Sequence, residues 1–511
     1  MIFSFIKRIF TMKKNLRWGL LAAGNIAKVL AKSIKETEGA ELLAVASRNC
    51  EKGSAFAKEF AIPRVYHKYE EILNDPDIDI VYISTPHPMH AEWAIKAADA
   101  GKHVLCEKPL TINAPDAMTV IEAARRNNIF MMEAFMYRCH PQTKKIFDIV
   151  QSGIVGEIRL IEATFSFSCT YNPESRIFNP YLGGGGIMDI GCYPVSYARL
   201  LAGAALGRKW ANPIEIKAIG HLRTDSKVDT WTSALLRFDN DITALCTCGV
   251  EMRHQNNMAI YGSKGMILIP QPWYPSGRDA GKYTFTLINE KGECQTIEEK
   301  AAWGLFTYET NLVTDAIKKG LVQAPHPAMS WEDSLGNMEA LDKWREILGV
   351  TFPSETNEAY KDTLDRRPLK VRPNTKMRYG EIKSFPKKIS KLVMGVTGPG
   401  NIAYATAMFD DFFSKGGNTF DTAYIYGGGA AEKLLGQWIE NRNIRDDVVI
   451  IDKGAHTPYC FPDMLLKQFH ESLERLKTDY VDIYFMHRDN PNIPVGEFID
   501  VLNQLVSQKK L

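Results

Sequence analysis

The sequence predicts an α/β protein in three parts: a doubly wound parallel sheet, an α+β domain built on a large antiparallel sheet, and a second, shorter βα series. Three observations carry this. From Arg17 to about Met132, apolar runs ("RWGLLAA", "ELLAVAS", "DIVYIST", "HVLCEKP", "IFMMEAF") alternate with helical stretches such as "AEWAIKAADAG". That is the texture of parallel strands covered on both faces. From about Pro141 to Val350 the runs lengthen and alternate apolar with polar residues ("EIRLIEATFSFS", "WTSALLRFDN", "ITALCTCGVEM", "MAIYGSKGMILIP"), as antiparallel strands with one exposed face do. Beyond residue 388, "ISKLVMGVTG", "NTFDTAYIYG", "DVVIIDKGAH" and "VDIYFMHRD" again alternate with helices. The expected boundaries are 12–132, 133–355 and 389–511, with 356–388, polar and without apolar period, as a linker.

Composition excludes some functions. The 511 residues are 45% hydrophobic and 24% charged, ordinary values for globular chains. With 62 basic against 60 acidic residues, no field is strong enough to point to nucleic acid or an anionic membrane. A small-molecule partner is expected instead. The nine cysteines are scattered, without CxxC pairs or zinc-like spacing, which predicts reduced thiols, a cytoplasmic protein and no metal site. The leader "MIFSFIKRIFTMKKN" is interrupted by Lys7 and Arg8 and makes a poor signal peptide, so Met12 is an alternative start. No apolar run reaches the roughly 18 residues that a bilayer span requires.

The turn after the first strand, "AAGNIA", aligns with a G-x-G-x-x-G dinucleotide turn, placing Ala22, Gly24 and Ala27 at the three glycine positions. The second position carries most of the physics. Only a residue without a β-carbon lets the backbone approach a diphosphate, while the helix starting near Asn25 and Ile26 offers its N–H groups. Ala27 has only to let helix and strand pack; Ala22 is tolerable if the turn keeps a negative φ. Alone, the motif equally describes an ordinary tight βα turn. At the end of the second strand, where an acid would receive the ribose of NAD, stand Ser47 and Arg48. An arginine there pairs with a 2′-phosphate and favours NADP, with NAD still possible; a ligand-free exposed arginine is the alternative.

Taken in order, "GLLAAGNIA", "ISTPHPMHAEWAIKAADAGKHVLCEKPL", "MEAFMYRCHPQ" and "GGGGIMDIGCYPVSYARLL" resemble the Gfo/Idh/MocA family of oxidoreductases over roughly residues 15–355. The likeness is greatest to the branch of dihydrodiol dehydrogenases and NADP-dependent D-xylose dehydrogenases. It implies a Rossmann domain followed by an open sheet whose face makes a homodimer. It also implies cofactor contacts from Ala22, Gly24, Asn25, Ile26, Ser47, Arg48, Thr85, Pro86, His90, Glu107 and Lys108. Lys108 follows a parallel strand at its carboxyl end, where open α/β sheets bind ligands, and is expected to depress the pKa of a neighbouring phenol. That phenol is Tyr193, the acid/base for a secondary or anomeric hydroxyl. Asp189, four residues earlier, faces the same side of an irregular helix and orients the lysine or the substrate. His87 has no matched role and reads as a surface residue; Arg138 reads as either a structural salt bridge or a substrate contact. "GGGG" at 183–186 reads as a flexible loop that brings Asp189 against the cofactor.

From about Met377 the chain resembles the start of an aldo-keto reductase, with Asp421, Tyr426, Lys453 and His487 at the family's tetrad positions. About 135 residues cannot build an eight-stranded α/β barrel of roughly 250. The tail is therefore expected to be an incomplete (β/α) barrel half without reductase activity of its own, from a truncation or a longer fusion. The reading that follows is hydride transfer between nicotinamide and a sugar, polyol or cyclic diol in the first two domains. The alternatives are an aldo-keto reductase completed by other sequence, or a non-catalytic NADP-binding sensor.

Overall fold

A computed structural model describes residues 15–383, 385–398 and 400–511; the leader and the choice between Met1 and Met12 lie outside the described residues. The chain forms two compact units with the boundary between Ser354 and Glu355.

The first unit opens with six parallel strands: β1 (Leu16–Leu21), β2 (Ala40–Ala46), β3 (Arg64–Tyr66), β4 (Ile80–Ile83), β5 (His103–Glu107) and β6 (Met131–Ala134). Their order is β3-β2-β1-β4-β5-β6. The order reverses between β1 and β4, so a crevice opens there at the carboxyl ends of the strands. β4 is buried throughout, and its "IVYI" is the continuous apolar run that helices on both faces demand. The three-residue β3 is half-exposed and too short for a periodic signal, and the sequence reading passes over it.

The second sheet has eight strands: β7 (Ile158–Ser166), β8 (Glu215–Leu222), β9 (Asp229–Arg237), β10 (Thr243–Gly249), β11 (Met258–Gly262), β12 (Gly265–Ile269), β13 (Lys282–Asn289) and β14 (Cys294–Lys300). Their order is β14-β13-β12-β11-β7-β10-β9-β8, and all neighbours are antiparallel except β10 and β7. The expected antiparallel sheet is therefore mixed. After β7 the chain crosses over through the helix Cys192–Ala205 and returns by the β8-β9-β10 meander, so β10 arrives parallel to β7. Helices Cys192–Ala205 and Trp331–Leu348 cover one face; Arg138 and Arg199 both pair with the buried Asp333, at 2.6 and 2.7 Å, and pin these helices to the first sheet. Arg138 thus makes the structural salt bridge and does not line the cleft.

In the second unit, β17 (Met394–Gly395), β18 (Thr419–Asp421), β19 (Val449–Gly454) and β20 (Ile483–Met486) form a four-stranded parallel sheet in sequential order. Its core gathers Phe409, Phe420, Trp438 and Phe469. The segment 356–388 is folded onto this unit and is not a free linker. Tyr360 is buried against Ile402 and Ala403, its carbonyl accepts from Arg442 at 3.0 Å, and Lys387 pairs with Asp482 at 2.8 Å. A two-residue strand, β15 (Tyr379–Gly380), pairs with β16 (Ile389–Ser390). Its anchors are single side chains and backbone groups, which leave no periodic trace in a polar sequence.

Candidate active site

A cleft of about 640 Å³ lies at the carboxyl ends of β1, β4 and β5 and is closed on the far side by the second sheet. Gly24, Asn25, Ile26, Thr85, Pro86, His90, Glu107, Lys108, Asp189 and Tyr193 all line it. Ala22, Ser47 and Arg48 do not. Ser47 is buried and bonded to Asn49, while Arg48 is exposed with its guanidinium 5.9 Å from the Tyr69 ring centroid.

Gly24 caps the helix Asn25–Glu36 at φ −85° and ψ 179°, a conformation open to any residue. A β-carbon built on it would meet nothing within 4 Å. This glycine therefore serves neither backbone freedom nor internal packing; it keeps the space above the helix N-terminus clear. Ala22 differs from expectation: its φ is +79°, so the turn adopts the glycine conformation without the glycine. A β-carbon there costs about 1 kcal/mol or more. The requirement is set by the strand-to-helix geometry, which the neighbouring sequence does not reveal.

At the other end, Lys108 Nζ donates to the Asp189 carbonyl at 2.5 Å, lies 3.4 Å from Asp189 Oδ1 and stands 5.2 Å from the centroid of the Tyr193 ring. Arg176 donates to Asp189 Oδ1 at 2.9 Å. Burial penalises the Asp189 charge, but Lys108 and Arg176 outweigh it and hold the carboxylate well below its usual range. Burial likewise opposes the Lys108 charge, but Asp189, with Cys192 and Glu107 behind it, more than restores it, so the ammonium titrates above its ordinary value. Tyr193 is 4% exposed, enclosed by Phe135 and Phe165 with ring centroids at 5.2 and 5.1 Å. Burial, then the neighbouring Tyr274, Cys192, Glu107 and Asp189, push its phenol well above the ordinary value. The expected depression by Lys108 is not found: burial is the largest influence on this phenol, and it raises the pKa. Among the described residues, the Tyr193 hydroxyl has only the weak acceptor Met136 Sδ, at 3.6 Å.

The Asp189–Tyr193 arrangement depends on a π-turn over Ile187–Gly191 that leads into the helix Cys192–Ala205. Widened turns of this kind concentrate at functional sites. The glycines before it are tightly packed, contrary to the flexible-loop expectation. Gly183 and Gly185 have φ of +69° and +111°, and a β-carbon on Gly185 would lie 2.3 Å from Asp229 Oδ1. His87, expected at the surface, is buried in the cleft wall, where its Nδ1 lies 2.9 Å from the Gly183 carbonyl. His90 is a brace: its ring nitrogens face the carbonyls of Thr85 and Pro109 at 2.8 and 3.0 Å. Sequence reasoning missed Phe165, Arg176, Tyr274, Arg278 and Phe306, which the second domain brings to the cleft. They lie on loops, near the end of β7 and in the first turn of the helix Leu305–Lys318, and no local pattern encodes their spatial order.

The residues fit a nicotinamide dinucleotide. Thr85 Oγ1 is buried without a hydrogen-bond partner among the described residues and lines the cleft, and the space above Gly24 is open beside an N-terminus that has no acidic residue in its first turn and no side-chain cap.

In the second unit, Lys453 Nζ donates to Asp421 Oδ1 at 2.6 Å and stands 5.0 Å from the Tyr426 ring centroid, with the His487 ring 5.6 Å from that of Tyr426. Burial, with His456 and Lys453 nearby, lowers the His487 pKa. The four tetrad residues thus meet at the carboxyl ends of a four-stranded sheet.

Comparison with known proteins agrees with this geometry. Residues 16–135 match the oxidoreductase family with an NAD-binding Rossmann fold, 143–268 the GFO/IDH/MocA C-terminal domain and 391–509 the aldo/keto reductase family. The chain is 30% identical over 358 residues to trans-1,2-dihydrobenzene-1,2-diol dehydrogenase of Mus musculus, covering 66% of this chain and 99% of the relative. It is 33% identical to the Xenopus laevis enzyme of that name over 341 residues, with the same shares. A 3-ketoreductase from Actinomadura kijaniata, solved with NADP and TDP-benzene, superposes with a TM-score of 0.58 at 28% identity, covering 65% of this chain and 97% of that one. No helix among the described residues is long and apolar enough to cross a membrane. The chain belongs to the Gfo/Idh/MocA family of NAD(P)-dependent oxidoreductases, followed by a segment of aldo/keto reductase type.

Proposed function

We propose that the first unit transfers hydride between NADP and a sugar, polyol or cyclic diol, with Tyr193 as the proton donor and acceptor and Lys108 and Asp189 fixing its surroundings. The observation that carries this is the convergence of Lys108, Asp189 and Tyr193 on one cleft with Gly24. NADP, when bound, supplies or accepts the hydride. Gly24, Asn25 and Ile26 would hold its diphosphate and Thr85, Pro86 and Glu107 its nicotinamide end, with His90 bracing Thr85, while the exposed Arg48, outside the cleft, would meet its adenosine end beyond Ser47.

The chain's own chemistry runs on the phenol. Tyr193 stays protonated at neutral pH, and its O–H, which among the described residues meets only a thioether, is free to donate to a substrate carbonyl oxygen. The Lys108 ammonium faces the phenol ring and favours negative charge developing on the oxygen as the proton leaves. Arg176 and Asp189 fix the lysine, and the aromatic wall of Phe135, Phe165 and Trp273 excludes water. The relatives' names support the substrate class, and the Actinomadura enzyme has been solved with a lysine and with a tyrosine replaced.

Two finer readings accompany this. A homodimer through the second sheet is supported by the outer face of β8 and β9, where Ile219, Trp231 and Leu235 are exposed and His221 stacks on Trp231 at 4.1 Å. A reducing, cytoplasmic location agrees with nine free cysteines. The function is tested by following nicotinamide absorbance with a panel of aldoses and diols in both directions. The full chain and one ending at Ser354, the end of the first unit, should turn over the same substrates at the same rate. A shortened protein that is folded but inactive would assign the chemistry elsewhere, and NADPH binding without turnover on any substrate would favour the sensor alternative.

A further inference from the structure

We propose that Glu133 is a positioning residue for the proton transfer: its buried carboxyl clamps the turn that carries Lys108 by a bond to the Leu110 amide whose strength follows the carboxyl's charge. This rests on the reading of Lys108 and Tyr193 as the reacting pair. Pairing between β5 and β6 ends at Glu107 and Ala134, so the backbone of Lys108, Pro109 and Leu110 has left the sheet. Side chains hold it instead. His90 Nδ1 faces the Pro109 carbonyl at 3.0 Å, and Glu133 Oε1 accepts from the Leu110 amide at 2.9 Å. Glu133 lies opposite Cys106 in the register of the two strands and is 1% exposed. Its second oxygen, Oε2, is buried with no hydrogen-bond partner among the described residues.

A neutral acceptor would satisfy one amide at a lower desolvation cost, so the carboxyl asks for a reason. The charges around it supply one. It faces Asp333 and Ser334 from the helix Trp331–Leu348, Cys192 and Arg199 from the helix Cys192–Ala205, and Cys106 from β5. Arg138 and Arg199 share the single carboxylate of Asp333, so an ionised Glu133 provides the second negative charge for two guanidiniums. Burial works against that charge more strongly than the Leu110 amide and Arg199 support it, and the carboxyl is pushed up to about 7. Ionised, it gives the Leu110 amide a charge-assisted bond; protonated, it is the weaker acceptor and loosens the turn. The reacting pair does not titrate in that range. Lys108 and Tyr193 are raised, Asp189 is held low, and burial keeps His87 and His90 neutral. Glu107, which lines the cleft and is also raised by burial, is the competing source of a pH effect.

The test measures kcat, KM and NADPH affinity from about pH 5.5 to 8.5 for the wild type, Glu133→Gln and Glu133→Met, with the aldose or diol that the wild type turns over fastest. Wild-type kcat should fall roughly tenfold as the pH drops below about 7, at constant NADPH affinity. Glu133→Gln keeps an acceptor for Leu110 and cannot ionise, so its kcat should lose that fall. Glu133→Met has no acceptor, and its kcat should stay roughly tenfold low at every pH with NADPH affinity unchanged. A residue that served only the stability of the fold would lower the melting temperature and move neither readout. A wild-type profile without the fall, the same fall persisting in Glu133→Gln, which assigns it to Glu107, or wild-type kcat in Glu133→Met would each overturn the inference. Should Glu133→Met fail to fold, the Glu133→Gln profile decides alone. A wild type that turns over no substrate would overturn the reading of the reacting pair, and this inference with it.

Discussion

The two units each bring a lysine, an aspartate and a tyrosine together at the carboxyl ends of parallel strands, and the similarity of the two trios is instructive because their surroundings differ. Lys108 and Lys453 stand 5.2 and 5.0 Å from the ring centroids of Tyr193 and Tyr426. Each ammonium is held by an aspartate, Asp189 or Asp421. Around the first trio, however, two domains close a wall: the side chains of Lys108 and Asp189 are 13% and 6% exposed, against 17% and 31% for Lys453 and Asp421. The first also shares its cleft with an open glycine turn at a helix N-terminus. The second sits on four strands, half of those in a closed α/β barrel, whose last strand leaves Phe485 53% exposed.

That contrast can be broken most directly at the two phenols. Tyr193→Phe should lower kcat on the order of 10³-fold while leaving the fold intact, and Tyr426→Phe should leave kcat unchanged; steady-state kinetics on both variants decides between the units. Equal losses in the two would erase the contrast. The lysines sharpen it further. Lys108→Met should cost roughly 10²-fold in kcat with NADPH affinity within about threefold, because the ammonium supports the phenol and does not hold the diphosphate. A large loss of cofactor affinity without loss of kcat would reverse that assignment.

Much of this was legible in the sequence, and the failures share a cause. The strand ends that carry Gly24, Thr85 and Lys108 follow from apolar runs and a βα alternation that local chemistry dictates. Lys108 and Tyr193 meet because the domains pack, and only the family resemblance could anticipate that. What escaped is what packing alone decides: the cleft-facing Arg278 and Phe306, the burial of His87, the tightly packed glycines 183–186, and the folding of 356–388 onto the second unit. Ala22 belongs to the same group, since its positive φ is imposed by the turn. Ala22→Gly should accordingly raise the stability of the first unit by roughly 0.5 kcal/mol, the relief of strain less the larger unfolded-state entropy of glycine. Chemical denaturation monitored at two wavelengths reads it, and a destabilised variant would mean that the alanine is not strained.

The most direct test of the account is at Gly24, whose missing side chain matters only if something else occupies the space. Gly24→Val is compatible with the local φ and meets no protein atom within 4 Å at its first carbon, so the variant should fold with an unchanged melting temperature. Titrated with NADPH, it should lose at least 100-fold in affinity relative to the wild type. Undiminished NADPH binding by a folded Gly24→Val protein would contradict the placement of the dinucleotide over this turn, and with it the role given to Lys108 and Tyr193.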